Sequence, residues 1–121
     1  MAEIQSYKDL LVWKKGILIV KMIYKATKSF PSDEKFGLTN QLRRSAVSVP
    51  SNIAEGQSRN TTKDFKHFLF IARGSLAECH TQLIIAQELG YLPPEPFMKI
   101  ENEMLQLQRM LNSLINKLPK N

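Results

Sequence analysis

The sequence predicts an all-α fold, an antiparallel up-and-down four-helix bundle, and three observations predict it. Apolar residues recur at spacings near 3.6 along the whole chain, with no sustained alternation of the kind a half-buried strand requires. Turn-forming punctuation divides the chain into four long segments, and six Pro and five Gly are few for an all-β domain of many short strands. The connections between segments span a few residues, which makes successive helices antiparallel neighbours. A chain of 121 residues has room for one domain, here residues 1–121, burying roughly two thirds of its extended surface.

The first segment opens at Ser6, where Ser6-Tyr7-Lys8-Asp9 fits a capping box, and runs to about Ser29 before Phe30-Pro31-Ser32-Asp33 breaks it. The second covers Leu38 to Glu55 and closes at Gly56 as a helix-terminating glycine; Pro50 lies inside it, so a bend is expected near Ser48–Ser51. The third starts at a second capping box, Thr61-Thr62-Lys63-Asp64, and continues to Leu89, where Gly90 and Pro93-Pro94 stop it. The fourth runs from about Glu95 to Leu118. Its apolar residues Phe97, Ile100, Met104, Leu107, Leu111, Leu114 and Leu118 alternate by threes and fours in a single stripe.

Composition excludes several classes. Hydrophobic residues at 43% and charged residues at 23% are ordinary globular usage and argue against a disordered or fibrous chain. A single cysteine, Cys79, rules out an intrachain disulfide or a multi-thiolate zinc site and suits a reducing cytoplasm. The opening residues carry no signal-peptide pattern, and the apolar run Ile17 to Val20 ends at Lys21, far short of a membrane span. A cytoplasmic protein without membrane partners is expected.

Two segments carry more apolar surface than one bundle needs. On the third, Phe65, Leu69, Ala72, Leu76, Cys79, Leu83 and Ala86 form the core stripe, while Phe70, Ile71, Gly74 and Ile85 lie on the other side. On the first, Val12, Trp13, Ile19, Val20, Ile23 and Tyr24 face the core, with Leu11, Leu18 and Met22 nearly behind them. Isolated surface apolar atoms are normal in any protein, but contiguous patches in a monomer are rare. Phe70, Ile71, Gly74, Ile85, Leu18 and Met22 are therefore the candidate interface between copies of the chain.

The 17 basic and 11 acidic residues leave a net charge of +6, and this excess is concentrated. Residues 1–60 carry 10 basic and 5 acidic side chains, against 7 and 6 in residues 61–121. At 100° per residue, Lys14, Lys21, Lys25 and Lys28 fall within about 60° of one another, a ridge suited to phosphates or simply to solvation. Arg43, Arg44 and Arg59 are further candidates, since arginine can clamp phosphate through two parallel hydrogen bonds; pairing with Glu55, Asp33 or Glu34 is the competing role. Arg44, Ser48, Ser51 and Glu55 also share one face of their helix.

Catalytic patterns are weak. His67 and His80 lack the paired carboxylate spacing of a metal-binding bundle, and Cys79 and His80 point about 100° apart on a helix. No phosphate loop, nucleophile elbow or dinucleotide fingerprint occurs. Neither an enzyme nor a cofactor is expected.

Several stretches resemble a known family: Leu11-Val12-Trp13-Lys14-Lys15, Phe30-Pro31, Phe36-Gly37-Leu38-Thr39, Gln41-Leu42-Arg43-Arg44, Val49-Pro50-Ser51-Asn52-Ile53-Ala54-Glu55-Gly56, Phe68-Leu69 and Ile71-Ala72-Arg73-Gly74-Ser75-Leu76-Ala77-Glu78. Over residues 7–92 the chain is similar to the bacterial four helix bundle family, also called 23S rRNA intervening-sequence proteins. The resemblance implies an antiparallel bundle assembling into a ring of five, with no catalytic residue to carry across. It extends to the accessory protein of diversity-generating retroelements, a basic pentameric barrel that binds nucleic acid and a reverse transcriptase. The expected function is thus a non-catalytic homo-oligomer binding RNA or DNA through its basic first hairpin, or alternatively a scaffold that engages a protein partner.

Overall fold

The computed structural model describes residues 6–120. Four helices, α1 (Leu11–Thr27), α2 (Leu38–Gln57), α3 (Thr62–Glu88) and α4 (Pro94–Lys117), follow one another with short connections, and short 3₁₀ turns at Tyr7–Asp9 and Ser32–Glu34 precede α1 and α2. Among the described residues there is no strand. Each helix packs on its sequential neighbour and α4 closes back on α1, so α1 and α3 stand across one diagonal of the bundle without packing on each other.

The core follows from the apolar periodicity. Ile19 and Ile23 from α1, Leu42, Val49 and Ile53 from α2, Leu69, Leu76 and Leu83 from α3, and Met104, Leu107 and Leu111 from α4 are buried in one cluster. Truncating a fully buried member such as Leu107 to Ala should cost about 2–5 kcal/mol. Leu114 and Leu118 of the expected α4 stripe are only partly buried, and Ile115 takes the last core position.

Two helix ends differ from the sequence expectation. The Ser6 capping box does form, with the Ser6 amide donating to Asp9 Oδ2 at 3.2 Å, but it closes only the Tyr7–Asp9 turn. Leu10 then adopts an extended backbone, and α1 begins at Leu11. Gly56 does not terminate α2; it is buried inside the helix, which runs one residue further to Gln57 and ends on Ser58 in a right-handed helical conformation. The glycine serves close packing instead, because a Cβ there would stand 2.7 Å from Phe68 Cβ and 3.2 Å from the Phe65 carbonyl. Helical backbone continues through Pro50.

The remaining ends are closed by named groups. Thr61 Oγ1 accepts the Asp64 amide at 3.1 Å and caps α3. At the other end Gly90 takes φ +82°, with the Tyr91 amide donating to the Ala86 carbonyl and the Gly90 amide to that of Gln87, the paired bonds of a Schellman stop. Glu34 Oε1 accepts the Leu38 amide at 3.1 Å at the start of α2, and its Oε2 accepts the Tyr91 hydroxyl at 3.0 Å. Since Phe30 also packs against Tyr91, the rings tilted by 52° with centroids 5.7 Å apart, the α1–α2 and α3–α4 connections are tied together at this end of the bundle.

Candidate nucleic-acid interface

The outer face of α1 lies opposite its buried residues Val12, Gly16, Ile19, Ile23 and Thr27. Lys14, Lys21, Lys25 and Lys28 all stand exposed on this face and span about 21 Å of helix at 1.5 Å per residue. None of the four ammonium groups has a hydrogen bond or ion pair among the described residues. Lys15 behaves differently although it is the next residue to Lys14. Its position 100° around the helix brings it to α4, where Nζ donates to Glu103 Oε1 at 2.8 Å and to Gln106 Oε1 at 2.8 Å.

The three arginines split. Arg43 reaches from α2 to the end of α1: Nε donates to Thr27 Oγ1 at 2.9 Å, and the guanidinium lies 4.6 Å from the Tyr24 ring centroid. Thr27 Oγ1 in turn donates a hydrogen bond to the Ile23 carbonyl at 2.8 Å, so the buried hydroxyl is satisfied as donor and acceptor. Arg59 pairs with Glu55 across one helical turn at 3.0 Å and sits 5.0 Å from the Phe68 ring centroid. Arg44 is exposed, without hydrogen bond or ion pair among the described residues. It borders a polar cleft of about 380 Å³ between α2 and α3, to which Gln41, Ser48, Glu78 and Gln82 contribute.

Inside that cleft the sequence reading missed a buried polar contact. Gln82 is buried on the flank of the α3 core stripe and accepts a hydrogen bond from Ser45 Oγ at 2.8 Å, while Ser48 and Ser75 hydroxyls meet at 2.8 Å one turn away. The small serines of α2, facing polar residues of α3 in antiparallel order, were the available signal.

The six candidate interface residues do not form one patch. Phe70, Ile71 and Ile85 are 38–43% exposed on the outer side of α3, and Gly74 has open space where a Cβ would be. Because α1 and α3 are diagonal, this surface faces away from the lysine ridge. Leu18 is 43% exposed and lies on the ridge side of α1. Met22 is half-buried against the core and lines a groove beside α4. Beside Gly74, Arg73 donates to Asn112 Oδ1 at 2.9 Å and packs on Phe70, and His80 lies 2.8 Å from Glu101.

Cys79 is fully buried, its thiol pushed up to about 11 chiefly by burial, and Sγ–H points at the Leu42 carbonyl 3.8 Å away. A thiol so placed is a small core hydrophobe rather than a nucleophile. Among the described residues no three His, Cys, Asp or Glu side chains gather to hold a metal, and no helix is long and apolar enough to cross a membrane.

Residues 8–113 match the family model for 23S rRNA-intervening sequence protein. A solved structure with TM-score 0.78 is a protein of unknown function from the S23 ribosomal protein family of Bacteroides thetaiotaomicron; it is 25% identical and the alignment covers 87% of this chain and 98% of that one. No curated protein matches the chain.

Proposed function

This chain belongs to the 23S rRNA-intervening sequence protein family, and from that premise we propose that it is a non-catalytic, cytoplasmic, self-assembling bundle that binds RNA or DNA through the outer face of α1. One observation carries this reading: Lys14, Lys21, Lys25 and Lys28 are exposed along a single face of α1 with no acidic partner among the described residues. Unneutralised ammonium groups in a row repel one another, and phosphates relieve that repulsion while releasing counterions. Lysine is a hydrated point charge, so such contacts position a backbone without reading bases.

Self-assembly rests on the α3 side. Phe70, Ile71 and Ile85 expose apolar surface next to Gly74, where a second helix could approach closely. Because that face and the ridge are on opposite sides of the bundle, assembly through α3 leaves the lysines accessible. A ring of five, which the family resemblance implies, needs this face to meet a different surface of the next copy, head to tail.

Titration of structured RNA and duplex DNA at two salt concentrations tests the binding. Loss on changing the four lysines to Gln supports it, and absence of binding at low salt refutes it. The alternative reading, a scaffold for a protein partner, is favoured by exposed apolar side chains away from the α3 face, Leu11 and Phe36. It predicts an assembly that forms normally and ignores nucleic acid.

A further inference from the structure

We propose that the groove between the end of α1 and the start of α4 receives an unstacked nucleobase, so that the lysine surface prefers single-stranded nucleic acid over a duplex. The inference rests on the phosphate-contact reading of α1 and adds what that surface selects. The groove has a volume of about 470 Å³, within the range of small-molecule sites, and is walled by Met22, Ala26, Leu92, Pro93, Pro96 and Ile100. Its rim holds Lys25, which is also a member of the ridge. Lys99 on the opposite rim is paired with Glu95 at 3.4 Å, leaving Lys25 as the rim cation free of an acidic partner.

The chemistry commits the groove to an occupant with a flat apolar face and an attached anion. Pro93 and Pro96 present rings with fixed φ, Leu92 and Ile100 are buried supports, and Met22 is a polarizable side chain that adapts to irregular shapes. A nucleobase buries its face against such walls while its phosphate stays on Lys25 and its neighbours on Lys21 and Lys28. In a duplex the base faces are already stacked and cannot enter. A single strand offers them freely, and removing a base face from water against apolar walls contributes roughly a tenfold gain in affinity per base.

The test compares a labelled adenine oligonucleotide strand with its full duplex at low salt, using the intact 121-residue chain. The strand is expected to bind roughly tenfold more tightly than the duplex. Ala26→Leu, which fills the groove without changing charge, should abolish that margin by weakening strand binding. A 2-aminopurine placed in the strand should brighten on binding the unmodified protein as the base leaves its stack; this readout serves even if Ala26→Leu fails to fold. Equal affinity for strand and duplex, or a margin that survives in folded Ala26→Leu, overturns the groove while leaving the lysine surface standing. Failure of both nucleic acids to bind at low salt overturns both.

Discussion

Gly16 on α1 faces Pro50 on α2 so closely that a Cβ at position 16 would stand 3.2 Å from the proline Cβ. Proline inside a helix removes one backbone hydrogen bond and normally clashes with the preceding turn. Here its ring packs against a residue without a side chain, so the proline-containing turn of α2 is buried under α1 while the helix continues through it. The crossing of α1 and α2 is thereby fixed next to Ile19 and Val49, in the middle of the core.

The glycines of this chain should respond in opposite directions to the same substitution. Gly56→Ala brings a Cβ within 2.7 Å of Phe68 Cβ, and thermal or denaturant unfolding should show a loss of about 1–3 kcal/mol. Gly74→Ala meets no atom within 4 Å and replaces a poor helix former, so the isolated fold should gain up to about 1 kcal/mol. A stabilised Gly56→Ala protein would contradict the close α2–α3 approach.

Gly74 also reports on assembly. If a second copy lies against α3, Gly74→Leu, Phe70→Asp and Ile85→Asp should each shift the mass measured by light scattering toward 13.9 kDa while helical content is retained. A 13.9 kDa monomer for the unmodified protein at micromolar concentration would remove self-assembly from the account.

Tyr91 ties the two connections at one end of the bundle, and its hydroxyl is held above the usual tyrosine value, first by its hydrogen bond to Glu34. The fold therefore favours the protonated phenol. Its contribution is complete below about pH 10 and is lost as pH rises through the higher folded value. Absorbance titration should show a tyrosine phase above the ordinary tyrosine value, and Tyr91→Phe should delete that phase. Ionisation of Tyr91 at or below the ordinary value would contradict the contact.

Cys79 should resist thiol reagents in the native protein, because burial both hides the sulfur and pushes its pKa up to about 11. Labelling in increasing denaturant should follow the unfolding transition. Fast labelling under native conditions would place the thiol at the surface.

Much of this architecture was legible in the sequence because it depends on local pattern. Gly90 with the prolines after it marked the end of α3, and the spacing from Ile100 to Leu111 marked the core side of α4. The exposure of Lys14, Lys21, Lys25 and Lys28 follows from the same arithmetic. What escaped depends on tertiary contact. Ser6 satisfies its capping pattern within one 3₁₀ turn, and nothing local reveals that Leu10 then interrupts the helix. Gly56 reads as a stop until Phe65 and Phe68 are seen against it. The sequence likewise gives no notice that Arg43 reaches Thr27 and Tyr24, or that Met22 belongs to a groove walled by Pro93 and Pro96.

The central claim, phosphate contact by the ridge, is tested most directly by the salt dependence of duplex binding before and after changing Lys14, Lys21, Lys25 and Lys28 to Gln. Each contact contributes about 0.9 to the slope of log affinity against log salt. The unmodified protein should bind at low salt and weaken steeply, and the quadruple variant should lose up to about 3.6 of that slope. Identical slopes and affinities for the two proteins would contradict it.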